Sequence, residues 1–306
     1  MSTQWLALLG RFEEEPDAIV FKGGTTTLQD GQPGFEVANF VSDQYFGGGR
    51  IRADIRFRGR HERSAAGLIL FYQPQSASFV QAQLGGFALC SVQTWAGQRW
   101  NTHGAAGPPN QLQPDVTYAF EALVTGSRVM VFLNGVQALE VNLPFSLPRG
   151  QAGLWALGPT DIAFSGFSVI AETPKLFVIM QLSPPFDDLF EDVITPVGKK
   201  AGFEVIRADQ IAGPGVIIAD IERQIIEAKA VVAEITPANP NVFWEVGYAH
   251  AIRKPTVLIA QSDTKLPFDV SPFRILLYDN TIGGKAKIEE GLRKHLAVIQ
   301  TQWAVG

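Results

Sequence analysis

The chain has 306 residues, 46% of them hydrophobic and 18% charged, which is ample apolar material for packed cores. Its net charge of −5 argues against a basic nucleic-acid-binding surface. A single cysteine, Cys90, excludes an intrachain disulfide, and no apolar run reaches the roughly 18 residues that a spanning helix needs.

Cys90 closes the apolar run Phe87-Ala88-Leu89 and is expected to be a buried, inert thiol. The first ten residues lack a basic leader and run into Glu13-Glu14-Glu15, so a soluble, cytoplasmic protein is expected, without membrane or nucleic-acid partners.

From about residue 18 to 170 the chain has period two. Arg50 to Arg58 alternates strictly, with Ile51, Ala53, Ile55 and Phe57 on one face, the pattern of a half-buried strand. Further strands are predicted at 67–72, 79–84, 87–93, 118–124, 151–157 and 162–170, separated by turn-forming stretches such as Gly47-Gly48-Gly49 and Pro108-Pro109-Asn110. Asn134-Gly135 between two such runs predicts a tight hairpin, because both central positions need positive φ. Many short strands without a convincing helix predict an all-β jelly-roll sandwich over residues 1–172.

Near Thr173-Pro174-Lys175 the pattern changes. Strands are predicted at 176–180, 203–206, 230–235, 255–260 and 274–278, with helices after Ser183, at 217–228, 241–253 and 285–300. Ser183 suits the N-cap of the first helix, with prolines and then Asp187 and Asp188 in its first turn. Strands alternating with helices predict a C-terminal α/β domain, 173–306, with a flavodoxin-like parallel sheet. Ligands of such sheets bind beyond the carboxyl ends of the strands. Those ends lead into 181–185, 207–215, 236–241 and 261–263.

The loop 236–241 feeds a helix whose first turn ends at Glu245, a carboxylate among the apolar residues Phe243, Trp244 and Val246. It either faces a ligand in the crevice or complements the helix dipole. Asp220, near the start of the preceding helix, is a second acid with the same two readings. Ser183 and its helix could hold a phosphate through backbone N–H groups, against the opposing charge of Asp187 and Asp188. Asp209 could hydrogen-bond a ribose. His250 lies five residues past Glu245, on another face, so a metal pair is not expected.

The run Asn239-Pro240-Asn241-Val242-Phe243-Trp244-Glu245-Val246-Gly247-Tyr248-Ala249-His250-Ala251, followed by Lys254-Pro255, resembles the Glu-x-Gly-x-Ala motif of the nucleoside deoxyribosyltransferase-like superfamily and of bacterial TIR-like proteins. Pro185 to Ile194, Arg207-Ala208-Asp209 and Ile218 to Ile221 resemble the same group. The resemblance implies cleavage of an N-glycosidic bond, most simply in NAD as a substrate. Glu245 would meet the cationic sugar carbon and Asp220 would handle the departing base. Ser183, Phe186, Asp209, Asn239, Asn241 and Tyr248 would line the substrate site. No cofactor or metal is implied. An assembly of copies, and a role in bacterial defence or signalling, also follow from it. The Gly-Thr pair and the acid that deoxyribosyltransferases place before the Glu are replaced here by Asn239 and Asn241, which favours hydrolysis over base exchange.

The N-terminal half resembles concanavalin A-like and laminin-G-like jelly rolls in pattern, without a diagnostic motif. Trp95, Trp100 and Trp155 either stack on sugar rings or sit in the core. The Arg50, Arg52, Arg56 and Arg58 face either binds an anion or is a solvated sheet face. No carboxylate pair on one strand face suggests glucanase chemistry. The leading expectation is therefore an NAD-cleaving N-glycosidase with a jelly-roll sensor or assembly module. Deoxyribosyl transfer, nucleoside monophosphate hydrolysis, and non-catalytic binding of a nucleotide or of a glycan or protein ligand are the alternatives.

Overall fold

The computed structural model describes residues 3–27, 31–59, 62–210, 217–236, 238–265 and 273–301, with no side-chain description at 217, 300 and 301. The chain divides into two compact units. The first comprises Met1–Val124, Val129–Asn142 and Arg149–Glu172, and the second Thr125–Arg128, Leu143–Pro148 and Thr173–Gly306.

The first unit opens with β1 (Trp5–Leu9), β2 (Phe12–Glu15), β3 (Ala18–Phe21) and the small ribbon β4 (Thr25–Thr27) and β5 (Pro33–Phe35). There follow β6 (Val37–Phe46), β7 (Gly49–Phe57), β8 (Ala65–Gln73), β9 (Ser78–Gly85), β10 (Cys90–Ala96) and β11 (Arg99–Ala106). β12 (Thr117–Thr125), β13 (Arg128–Leu133), β14 (Val136–Asn142), β15 (Gly150–Leu157) and β16 (Ile162–Ala171) complete the sandwich strands. One sheet runs β1-β6-β15-β8-β9-β10-β11 and the other β14-β13-β12-β7-β16-β3-β2.

β7 is built as its sequence dictates. Ile51, Ala53, Ile55 and Phe57 are fully buried, and the arginines between them face outward. Phe21, Phe46, Phe120 and Phe164 are also fully buried and carry much of the core. The predicted hairpin forms between β13 and β14, with Asn134 at φ 50° and Gly135 at φ 79°. Asn134 Oδ1 also accepts from the Ala119 N–H at 2.9 Å. Cys90 is buried, and desolvation pushes its thiol up to about 12, so it is inert as a nucleophile.

The second unit holds β17 (Lys175–Ile179), α1 (Phe186–Leu189), a π-helical turn (Phe190–Ile194), α2 (Thr195–Lys200) and β18 (Glu204–Arg207). Then come α3 (Ile217–Glu227), β19 (Ala230–Glu234), α4 (Pro240–Ala251), β20 (Thr256–Gln261), β21 (Ile275–Tyr278) and α5 (Ile282–Thr301). The five strands are parallel in the order β18-β17-β19-β20-β21. Leu176, Val178, Val232 and Ile259 pack toward the π-helical turn, α2 and α5, whereas Phe177, Ile179, Val231 and Leu258 pack toward α3 and α4. Burial on both faces explains why these strands read as continuous apolar runs.

The helix after β17 differs from its expected form. Its N-cap is Pro185, not Ser183, and no side chain caps it. Pro196 lacks the N–H owed to the carbonyl four residues back, and the helix widens into the π turn just before it. No helix among the described residues is long and apolar enough to cross a membrane.

Candidate functional site

The outer face of the first sheet carries a groove. The register places Leu9, Asn39, Trp155, Gly67, Gln83 and Ser91 in one row across six strands. A second row holds Ile69, Gln81, Gln93 and Thr102, and a third Phe79, Trp95 and Trp100. Because facing residues in paired strands share a side of the sheet, all of these project to one face. Fourteen residues line a cavity of about 1020 Å³, Asn39, Gln83, Gln93, Trp95, Trp100 and Trp155 among them. That volume is at the upper end for a small-molecule pocket, enough for an extended ligand.

The aromatic rings form a continuous wall. Trp100 sits 5.1 Å from Trp95, 5.5 Å edge-on from Phe79 and 5.9 Å edge-on from Trp155, between ring centroids. Trp155 is 4% exposed, whereas Trp100 is 43% and Phe87 at the rim 56% exposed. Apolar surface is thus left open beside buried rings.

Below the wall lies a ladder of buried amides. Gln81 Nε2 donates to Gln83 Oε1 at 2.9 Å and to Gln93 Oε1 at 3.5 Å. Gln83 Nε2 donates to the Gly85 carbonyl at 3.0 Å, and Gln93 Nε2 to Thr102 Oγ1 at 3.2 Å. Gly67 leaves this floor open. A Cβ there would lie 2.8 Å from the Ala82 carbonyl oxygen and 3.4 Å from Gln81 Oε1. Among the described lining residues there is no Asp or Glu, and Arg63 is the only charged one.

The arginine face of β7 is a paired surface. Arg50 meets Glu121, Arg52 meets Asp54 at 2.9 Å, Arg56 meets Asp115 at 3.4 Å, and Arg58 grips Glu15 at 2.7 and 2.6 Å. With a carboxylate at each guanidinium, this is the solvated sheet face rather than an anion site.

In the α/β unit, the residues expected to line one site fall on α1, α3, α4 and the segments after β17, β18 and β19. Asn239 caps α4, its Oδ1 accepting from the Asn241 N–H at 3.0 Å, and Asn241 is exposed. Glu245 is half-buried on α4, and desolvation holds its carboxyl up at about 7. Tyr248 stacks on Trp244 with centroids 5.8 Å apart. Asp220 lies on α3, paired with Arg223. Asp209 is taken up by Arg207, whose Nε and Nη2 donate to its two oxygens at 2.8 and 2.6 Å, while Arg207 Nη1 reaches Asp187 at 2.8 Å. Phe186 is 7% exposed and packs in the core with Val193 and Leu292. Ser183 Oγ receives a hydrogen bond from Gln181 Nε2 at 2.9 Å and caps no helix. Of the loop 207–215, residues 211–215 lie outside the described residues.

Sequence reasoning passed over two features. One is the amide ladder, whose signal was Gln81-Ala82-Gln83 alternating inside an apolar strand. The other is Glu234 at the end of β19, fully buried, accepting from Tyr278 Oη at 3.1 Å and from the Thr236 N–H. Burial raises its carboxyl above the usual range. Among the described residues no group of three or more His, Cys, Asp or Glu is arranged to hold a metal.

No family model matches the chain, and no curated protein matches it. Solved structures resemble about half of it. A carbohydrate-binding module of family 66 from Bacillus subtilis has 13% identity and a TM-score of 0.44, covering 53% of this chain and 92% of its own. A protein of unknown function with a galectin-like fold, also from Bacillus subtilis, has 14% identity and a TM-score of 0.37 over 53% and 87%. A prokaryotic β-1,3-1,4-glucanase derived from a mouse hindgut metagenome has 8% identity and a TM-score of 0.38 over 53% and 89%.

These findings correct the leading expectation. The matched structures are a carbohydrate-binding module, a protein with a galectin-like fold and a glucanase, and none of them supports an NAD-cleaving N-glycosidase or the TIR-like, deoxyribosyltransferase-like resemblance of the α/β unit. NAD hydrolysis falls with it.

Proposed function

We propose that this chain is a glycan-binding protein whose ligand lies in the groove of the β-sandwich. The observation that carries the reading is Trp100, a half-exposed indole set edge-on between buried rings beside the amides of Gln83 and Gln93. Sugar rings offer an apolar C–H face and a rim of hydroxyls. An indole wall over an amide floor matches both, since the ring supplies contact area and the amides supply directed hydrogen bonds. Glycoside hydrolysis needs two carboxyl groups flanking the scissile bond. The described groove lining has none, which favours binding over cleavage at this place. Titration calorimetry against oligosaccharides tests the reading. Trp100→Ala is expected to weaken the best ligand by about tenfold or more, the loss of a stacking anchor. Unchanged affinity in that variant removes the groove as the site.

A further inference from the structure

Two exposed aromatic rings line the groove, and the sheet register sets them at opposite ends of it. Trp100 faces Trp95 across the β10–β11 pair, and Trp95 faces Phe79 on β9. Phe87 lies past the other end of β9, in the turn that follows Gly85 and Gly86. It is 56% exposed, against 43% for Trp100, and it lines the same cavity. Phe79 and Gly85 are six residue steps apart on β9, a span of about 20 Å at about 3.3 Å per residue. Between these ends the lining is polar, with Gln83, Gln93 and Thr102. Gln83 and Gln93 each commit one Nε2 hydrogen, to the Gly85 carbonyl and to Thr102 Oγ1, and each amide carries a second. The Phe87 turn is anchored by its backbone. The Gly85 N–H donates to the Leu89 carbonyl at 2.9 Å and the Gly86 N–H to the Ser64 carbonyl at 3.0 Å. An exposed ring on a cavity wall gains contact area only when a ligand covers it.

We infer that the groove binds a linear glycan lengthwise along β9 and β10, with one sugar ring on Trp100 and a later ring of the same chain on Phe87. This rests on the glycan reading above and goes further, to the path of the chain and the length it must have. A span of about 20 Å is covered by about four linked sugar rings and is out of reach of a disaccharide. A chain that reaches both platforms makes its second contact inside a complex already formed, so the two contacts reinforce each other. Phe87 is then the residue that makes affinity depend on chain length. A chain laid across the strands instead would leave Phe87 uncovered.

The test uses the full chain, with calorimetry against cello-, laminari-, malto- and galacturono-oligosaccharides of two to six residues. In the series that binds, affinity is expected to rise by about tenfold or more between the disaccharide and the tetrasaccharide, then to level off. Phe87→Ala is expected to weaken the hexasaccharide by about tenfold and to leave the disaccharide within about twofold, which removes the dependence on length. Its unfolding temperature is expected to match the parent's, since the ring is exposed and the turn is held by its backbone. Trp100→Ala is expected to weaken short and long members alike. If Phe87→Ala binds the hexasaccharide like the parent while Trp100→Ala does not, the lengthwise path fails and the glycan reading stands. Affinity that is flat from two to six residues overturns it in the same way. If none of the oligosaccharides binds, the glycan reading itself fails and takes the inference with it.

Discussion

Glu245 shows how far one residue can be read. Its place among Phe243, Trp244 and Val246 announced a carboxylate in apolar surroundings, and desolvation does hold it up at about 7 against the usual 4.5. We propose it as the proton-handling residue of the α/β unit, with Asp220 as a second acid, and neither is tied to NAD. The shift has a consequence for stability. Between pH 4.5 and about 7 the unfolded chain releases this proton while the folded chain keeps it, so stability falls as pH rises through that window. At about 1.4 kcal/mol per pH unit the penalty at pH 8 is bounded near 3 kcal/mol, less for a half-buried group. Glu245→Gln is therefore expected to stabilise the fold by about 1–3 kcal/mol at pH 8 and to be nearly neutral at pH 4. Urea unfolding at the two pH values checks it, and an equal effect at both would return Glu245 to an ordinary surface acid. Asp209 teaches the reverse lesson. Its carboxylate is fully engaged by Arg207, a partner two residues away whose guanidinium geometry no spacing rule reveals.

At the scale of elements, local grammar was decisive where one face is buried. The strict alternation of Arg50 to Arg58 could form only a half-buried strand, and β7 is that strand. The Asn134-Gly135 turn is equally local, since its two positive φ values suit these residues and few others. Gly135→Val is expected to cost about 1–2 kcal/mol, because a β-branched residue at φ 79° crowds its own backbone. Thermal unfolding measures this, and no loss would mean that the hairpin relaxes to another turn. Where a residue has two local roles open, the pattern misled. Ser183 looks like an N-cap, yet the helix starts after Pro185 and passes through a π turn before Pro196. Such a start depends on how the segment packs under Phe186 and Phe190, not on its capping residues.

For the molecule as a whole, each unit carries its own core, and the groove belongs to the sandwich alone. A ligand bound there stabilises that unit by mass action, by about 2.7 kcal/mol at a hundredfold excess over Kd. A saturating oligosaccharide is expected to raise the unfolding temperature of the sandwich transition by several degrees, and by roughly half as much in Trp100→Ala at the same concentration. A shift that survives undiminished in that variant would place the ligand elsewhere. The sequence by itself determined the class of each half, since periods of two and of 3.6 are imposed by backbone geometry before any long-range contact forms. It also named Trp95, Trp100 and Trp155, but left them divided between core and ligand. Only the tertiary structure decided that they share one open face with Asn39, Gln81 and Ser91, because strand register is set by pairing across the sheet. Six residues from five strands meet there, and no distance along the chain contains that fact.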